Sequence, residues 1–352
     1  MLLSCVAHFA WWLEAGNPEA ARQLASIGMI ATPMFLLISG AMIGLVFTRQ
    51  QSNAVAVRNT FFNRGLFVLI VGHVGIALAE AHRGGGLLHT LPVTFATDAI
   101  GLASMLAAMT MGPELLRTRT VWLAAAAFML AWVFVLYWHP AASPLVLTKQ
   151  LFFGREPTDR AVMGYTSPFV QYIAIVAAGI PLGRMLAQRC ISVTETRGAG
   201  WTLFKVGAAM IGTSVLCYAV KFLAFGHGTE THWPALYATL SIFKIPPSPV
   251  YVLFYAGLGL SITGTLLWCA GRKFALPYIQ WAAVIGRASL FIFVFQYFSL
   301  WTLPDLLGIK PGAYASLVFV GNIALIWCVA RFWTAFDGNR LMTFGIRLVH
   351  AH

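Results

Sequence analysis

Apolar stretches of about twenty residues recur along this chain, each closed by a short polar segment. Ten can be drawn: 1–14, 25–47, 61–81, 92–112, 120–138, 167–188, 201–224, 249–271, 280–301 and 312–332. A helix of about twenty apolar residues crosses the hydrocarbon core of a bilayer. The alternation of barrel strands is missing, and a helix satisfies its own backbone in lipid one segment at a time. The pattern therefore predicts an all-α, polytopic integral membrane protein with about ten transmembrane helices. The first stretch is short, since fourteen residues rise only about 21 Å. Either that helix is stunted, or a lead-in before Met1 is lost.

Composition and charge agree with this pattern. Of 352 residues, 59% are hydrophobic and 10% charged, too few charges to cover a soluble globule. Lys and Arg set the orientation. One set of connections carries Arg49, Arg58, Arg64, Arg117, Arg119, Arg184, Arg189, Arg197, Arg272 and Lys273, and Arg331, Arg340 and Arg347 lie in the tail. The other set mixes its cations with Glu19, Glu80, Glu156, Asp159, Glu230 and Asp305. The first set is expected in the cytoplasm, with both termini. The formal charge of +12 then reflects helix-end arginines facing anionic lipid, and no long basic run points to nucleic acid.

The chain reads as one integral domain, 1–352, without a soluble appendage. Residues 333–352 mix Trp333, Phe336, Leu341 and Phe344 with Asp337, Arg340 and Arg347, a composition suited to an amphipathic tail on the cytoplasmic face. The five cysteines show no metal-ligand spacing and read as small core residues, and no metal is expected. No signal-peptide cleavage site follows the first apolar stretch.

Ionisable groups inside lipid are costly and point to function. His8 lies within the first stretch, followed by Phe9, Trp11 and Trp12. Arg64 opens the third, preceded by Arg58, with His73 nine residues further on and Glu80 and His82 beyond it. Asp98 sits at the outer end of the fourth. His8, His73 and Asp98 all fall in the middle or outer half of the membrane. One pocket is expected to hold them, Asp98 orienting an imidazole that acts as base. The bland readings are a packed histidine at 8 and a snorkelling end-cap at Arg64. Two long outer connections, about 139–166 and 225–248, are expected to be functional. The second contains Trp233 and a proline-stiffened run from Lys244 to Pro249. Pro33 and Ser39–Gly40 predict close helix packing and a kink in the second span. Gly286–Arg287 opens the ninth span, with Gln296 nine residues inside.

Several of these stretches, in this order, resemble the polytopic membrane acyltransferase superfamily. It includes the acyltransferase-3 proteins, the envelope glucan succinyltransferases and relatives of heparan-alpha-glucosaminide N-acetyltransferase. The likeness rests on His8–Phe9, on Pro33-x-Phe35 leading to Ser39–Gly40, on Arg64, and on Thr97-Asp98-Ala99-Ile100-Gly101. It continues in Lys244 to Pro249, similar to a Tyr-Pro-Pro-Ser-Pro element, and in Gly286-Arg287-x-Ser-Leu. Two departures stand out. The family's Asp and Arg-Gly upstream of the first-helix His are not in this chain, and Gln296 occupies a position where many members carry His.

The resemblance implies transfer of an acyl group, acetyl in the first instance, from cytosolic acyl-CoA to an extracytoplasmic acceptor such as an envelope glycan. Acyl-CoA would be a co-substrate, with no tightly bound cofactor. Arg64, Arg58, Arg117 and Arg287 would meet the donor's phosphates, and His8 would be the base, with His73 its substitute and Asp98 the orienting carboxylate. Trp233, Lys244 and Gln296 would hold the acceptor. The implied location is a bacterial inner membrane, and a homo-oligomer is compatible with it. The competing reading is a transporter or flippase of a glycan or lipid-linked substrate, in which the same buried groups serve proton coupling. The absence of an inverted repeat weighs against that reading.

Overall fold

A computed structural model describes residues 2–14, 17–82, 86–110, 112, 117–154, 167–226, 234–270, 272, 276–310 and 314–343. The described elements are all helical, and no strand occurs among them. Helix α1 is Leu2–Leu13, α2 Pro18–Gly28 and α3 Ala31–Arg49; α4, Ala54–Phe67, continues through a π-helical turn, Val68–Gly72, into α5, His73–Glu80. The short α6, Leu87–Thr90, leads to α7, Ala96–Thr110, and α8, Arg119–Tyr137. Then come α9, Ser143–Phe152, α10, Phe169–Arg189, α11, Val193–Phe225, α12, Pro234–Leu240, and α13, Pro249–Cys269. The last group is α14, Leu276–Arg287, α15, Ser289–Tyr297, a second π turn, Phe298–Thr302, α16, Leu303–Leu306, and α17, Ala315–Ala335, followed by 3₁₀ turns over Gly338–Thr343.

Eight helical stretches among the described residues are long and apolar enough to cross a membrane: Pro18–Arg49, Gln51–Glu80, Arg119–Tyr137, Phe169–Arg189, Val193–Phe225, Pro249–Cys269, Ser289–Leu306 and Ala315–Ala335. The other two expected spans are shorter helices. Helix α1 has 12 residues and α7 has 15, rises of about 18 and 22 Å. Hydropathy alone overextended α7, because the flanking Leu91–Phe95 run is apolar without being part of that helix.

Local chemistry explains where the helices begin. Asn17 Oδ1 accepts from the Ala20 amide, with Pro18 in the first turn of α2. Ser192 and Glu195 form a reciprocal capping box at the head of α11. Ser248 Oγ accepts from the Phe243 and Tyr251 amides and donates to the Ser241 carbonyl, so the proline-rich run is pinned to the first turn of α13. Tyr251 in turn donates its hydroxyl to the Met29 carbonyl at 2.8 Å, tying α13 to the junction of α2 and α3.

Small residues set the closest helix contacts. Helix α3 lies along α10, where a Cβ on Gly40 would run into the Val176 carbonyl and one on Gly183 into that of Ala41. This is the close packing expected of Ser39–Gly40. A second such pair joins α11 to α13 through Gly200, Gly207, Gly257 and Gly264. Helices α3, α10 and α17 finish in Arg49, Arg189 and Arg331–Ala335, and that end of the bundle is called the basic end below.

Three boundaries differ from the hydropathy reading. The stretch 280–301 is broken at Ala288, where φ −100° and ψ 13° leave the helix between Gly286–Arg287 and Ser289. The outer connections hold α9 and α12, while 155–166 and 227–233 lie outside the described residues. Of the tail, Trp333–Ala335 complete α17, and Gly338–Thr343 packs against α4 with Met342 and Thr343 buried. Residues 344–352 lie outside the described part. Of the five cysteines only Cys5 is buried, and Cys328 is exposed.

Candidate functional site

The helix carrying Arg64 and His73 is not a regular α-helix. Nine residues of α-helix are two and a half turns, which would put His73 on the face opposite Arg64. The π turn at Val68–Gly72 absorbs one extra residue and rotates everything beyond it by about 100°. This rotation directs the His73 ring at the head of α7. His73 Nδ1 lies 3.0 Å from Asp98 Oδ2, and Nε2 lies 2.8 Å from the Leu91 carbonyl oxygen. Asp98 Oδ2 also accepts from the Phe95 amide at 2.7 Å. The carboxylate thus sits in the first turn of α7, where unpaired amides and the helix dipole favour negative charge.

The proton count at this pair is constrained. The Leu91 oxygen is only an acceptor, so Nε2 must carry hydrogen. The bond between Nδ1 and Asp98 needs one further proton, on the nitrogen or on the acid. Both ring nitrogens are therefore committed while these bonds stand, and the pair holds a proton rather than offering a vacant base. Asp98 is 2% exposed and His73 19%. Asp98 Oδ1 and Thr97 Oγ1 are buried without a hydrogen-bond partner among the described residues.

His8 reaches the same neighbourhood from α1. Its ring lies 4.6 Å from that of Tyr297 and 5.4 Å, edge-on, from that of Trp301. Tyr297 is 6.4 Å from Phe95, and Phe95 is 5.6 Å from His73. The two imidazoles are thus linked through Phe95 and Tyr297, in one apolar cluster with Phe9, Trp12, Ile76 and Leu300. The wall holding Trp301 is the second π turn, Phe298–Thr302.

The remaining candidates are dispersed. Arg64 is half-buried nine residues before His73, with Nε buried and unbonded among the described residues. Arg58, Arg117 and Arg287 are exposed. Lys244 is half-buried in the turn before α13, and burial pushes its ammonium below the ordinary lysine range. Gln296 is fully buried, donating to Ser4 Oγ at 2.9 Å and accepting from Cys5 Sγ at 3.3 Å. Its amide thus joins α15 to α1 one turn below His8. Trp233 lies outside the described residues.

Sequence reasoning passed over Phe95, Tyr297 and Trp301. Phe293, Tyr297 and Trp301 recur every four residues beside Gln296, an aromatic stripe visible in the sequence. No family model matches the chain, and no curated protein or solved structure does either.

Proposed function

We propose that this protein is a membrane-embedded acyltransferase, moving an acetyl or similar acyl group from cytosolic acyl-CoA to an extracytoplasmic acceptor, with an envelope glycan as the favoured acceptor. The observation that supports this most is the convergence of His8 on the His73–Asp98 pair around Phe95 and Tyr297, in the half of the bundle away from the basic end. In this reading there are ten membrane passes, α1 and α7 being the short ones, both termini face the cytoplasm, and the membrane is a bacterial inner membrane.

His8 is the base, its ring set against Tyr297 and Trp301 on the wall of the same cluster. It takes the proton from the acceptor hydroxyl or amine as that group adds to the thioester carbonyl. The carbon–sulfur bond then breaks, and the thiolate leaving group recovers the proton from His8, giving the acylated acceptor and free CoA. The His73–Asp98 pair holds a fixed proton beside the reacting centre and positions Phe95. Arg64 and the exposed arginines of the basic end meet the donor's phosphates.

The test is transfer of radiolabel from acetyl-CoA to envelope material by the protein in proteoliposomes. His8→Ala should abolish transfer and leave CoA affinity within about twofold. Full transfer by that variant removes His8 as the base. Absence of CoA binding to the wild-type protein, with substrate movement driven by a proton gradient, would establish the transporter reading instead.

A further inference from the structure

A second candidate site lies at the basic end, between α14 and α17. An open cleft of about 620 Å³ is lined by Gln280, Val284 and Arg287 on one wall and by Arg331, Thr334 and Ala335 on the other. The spacing of four and three residues on α14, and of three and one on α17, puts each set on a single helix face. Among the described residues, neither Arg287 nor Arg331 makes an ion pair and no carboxylate lines the cleft. Two unneutralised guanidinium groups therefore face one space.

The walls are braced against each other. Asn339 donates to the Arg287 carbonyl at 3.0 Å and accepts from Trp333 Nε1 at 3.2 Å. Trp333 stacks on Phe291, ring centres 3.8 Å apart and nearly parallel. Behind the cleft, Ile285, Ala288, Ile326 and Ala330 are buried in one cluster. Arg331 also lies over the Trp327 ring at 5.3 Å, which restrains its stem. The two arginines are held on a fixed frame rather than carried on a loop.

We propose that this cleft binds a phosphate ester, with Arg287 and Arg331 clamping the phosphate from opposite walls. Two forked guanidinium groups match the charge and the several acceptor oxygens of a phosphate group. The volume leaves room for a substituent as well as the anion. Two sources share this chemistry: a phospholipid headgroup of the adjoining leaflet, and the nucleotide end of a CoA thioester. Only the second source rests on the acyltransferase reading.

The experiment uses full-length protein in dodecyl maltoside micelles stripped of phospholipid. One arm titrates CoA and the other titrates phosphatidylglycerol, each read by tryptophan fluorescence and by mass spectrometry of the intact complex. At least one probe should bind saturably, and Arg287→Gln and Arg331→Gln should each weaken it tenfold or more, with partial recovery in Arg331→Lys. Both positions are exposed, and unchanged elution and thermal midpoints will show that the variants fold. Dependence of CoA binding on both arginines assigns the cleft to the donor. Dependence of phosphatidylglycerol binding alone makes it a lipid site. Wild-type affinity for both probes in the double variant overturns the cleft while leaving the acyltransferase reading standing, and no binding of either probe to the wild-type protein overturns the cleft outright.

Discussion

The bond between His73 and Asp98 can be measured as a coupling energy. Removing one member of a buried, hydrogen-bonded charge pair costs about 3–5 kcal/mol, because the survivor is left uncompensated. Asp98→Ala also strands the Phe95 amide, and His73→Ala strands the Leu91 carbonyl. With His73 19% exposed, solvent relieves part of its loss and the low end of that range applies to it. In the double variant neither partner is left to be stranded by the other, so the effects should overlap rather than add. A coupling of about 2–3 kcal/mol is expected, near the top of the range for contacting residues. The assay is unfolding of the wild type, both single variants and the double variant by SDS in mixed micelles, followed by tryptophan fluorescence. Additivity within about 0.5 kcal/mol would show that the two side chains do not share a bond in the folded protein, and the proton count above would fall with it.

Deleting Ile70 should remove the surplus residue, convert the π turn into ordinary helix and leave His73 facing Asp98, because eight α-helical residues turn through about the same angle as nine that include the π turn; the coupling just described should survive, and its loss would refute the role given to that turn. Gly183→Leu should part α3 from α10 by filling the space against the Ala41 carbonyl, lowering stability by about 1–3 kcal/mol in the same SDS titration, whereas a leucine at Gly212, with open space around it, should have little effect. Burial lowers the folded-state pKa of Lys244, so between that lowered value and the ordinary lysine value the folded protein binds fewer protons than the unfolded one. Stability carried by this group therefore rises with pH through that window, and Lys244→Met should raise the melting temperature at pH 7 by more than it does at pH 10.

Much of the framework was legible in the sequence because membrane spans are long and their signal is summed over some twenty residues. The shortness of the first helix was legible for the same reason, and Gly286–Arg287 marked the place where the helix breaks before Ser289. The meeting of His73 with Asp98 could be suggested, since both lie at similar depth on neighbouring passes, but its geometry could not. It depends on one surplus residue in Val68–Gly72, and nothing in the residues Val-Leu-Ile-Val-Gly distinguishes a π turn from an α turn. Gln296 misled for a different reason. A polar side chain deep in a span can face a ligand or a neighbouring helix, and only the positions of Ser4 and Cys5 show which of its surroundings it meets. Lys244 was read from a proline-rich run whose stiffness was evident, while its burial depends on how Ser248 folds that run onto α13.

The two surplus residues, one in Val68–Gly72 and one in Phe298–Thr302, give the walls of the candidate site an unusual route of variation. Loss of a single codon at either place can be taken up by return to ordinary helix, leaving the side chains further along that pass aimed as before and its hydropathy unaltered. Each wall can therefore gain or lose that residue by itself, and homologous chains that lack it will align across a one-position gap and still present the same side chains to the same space.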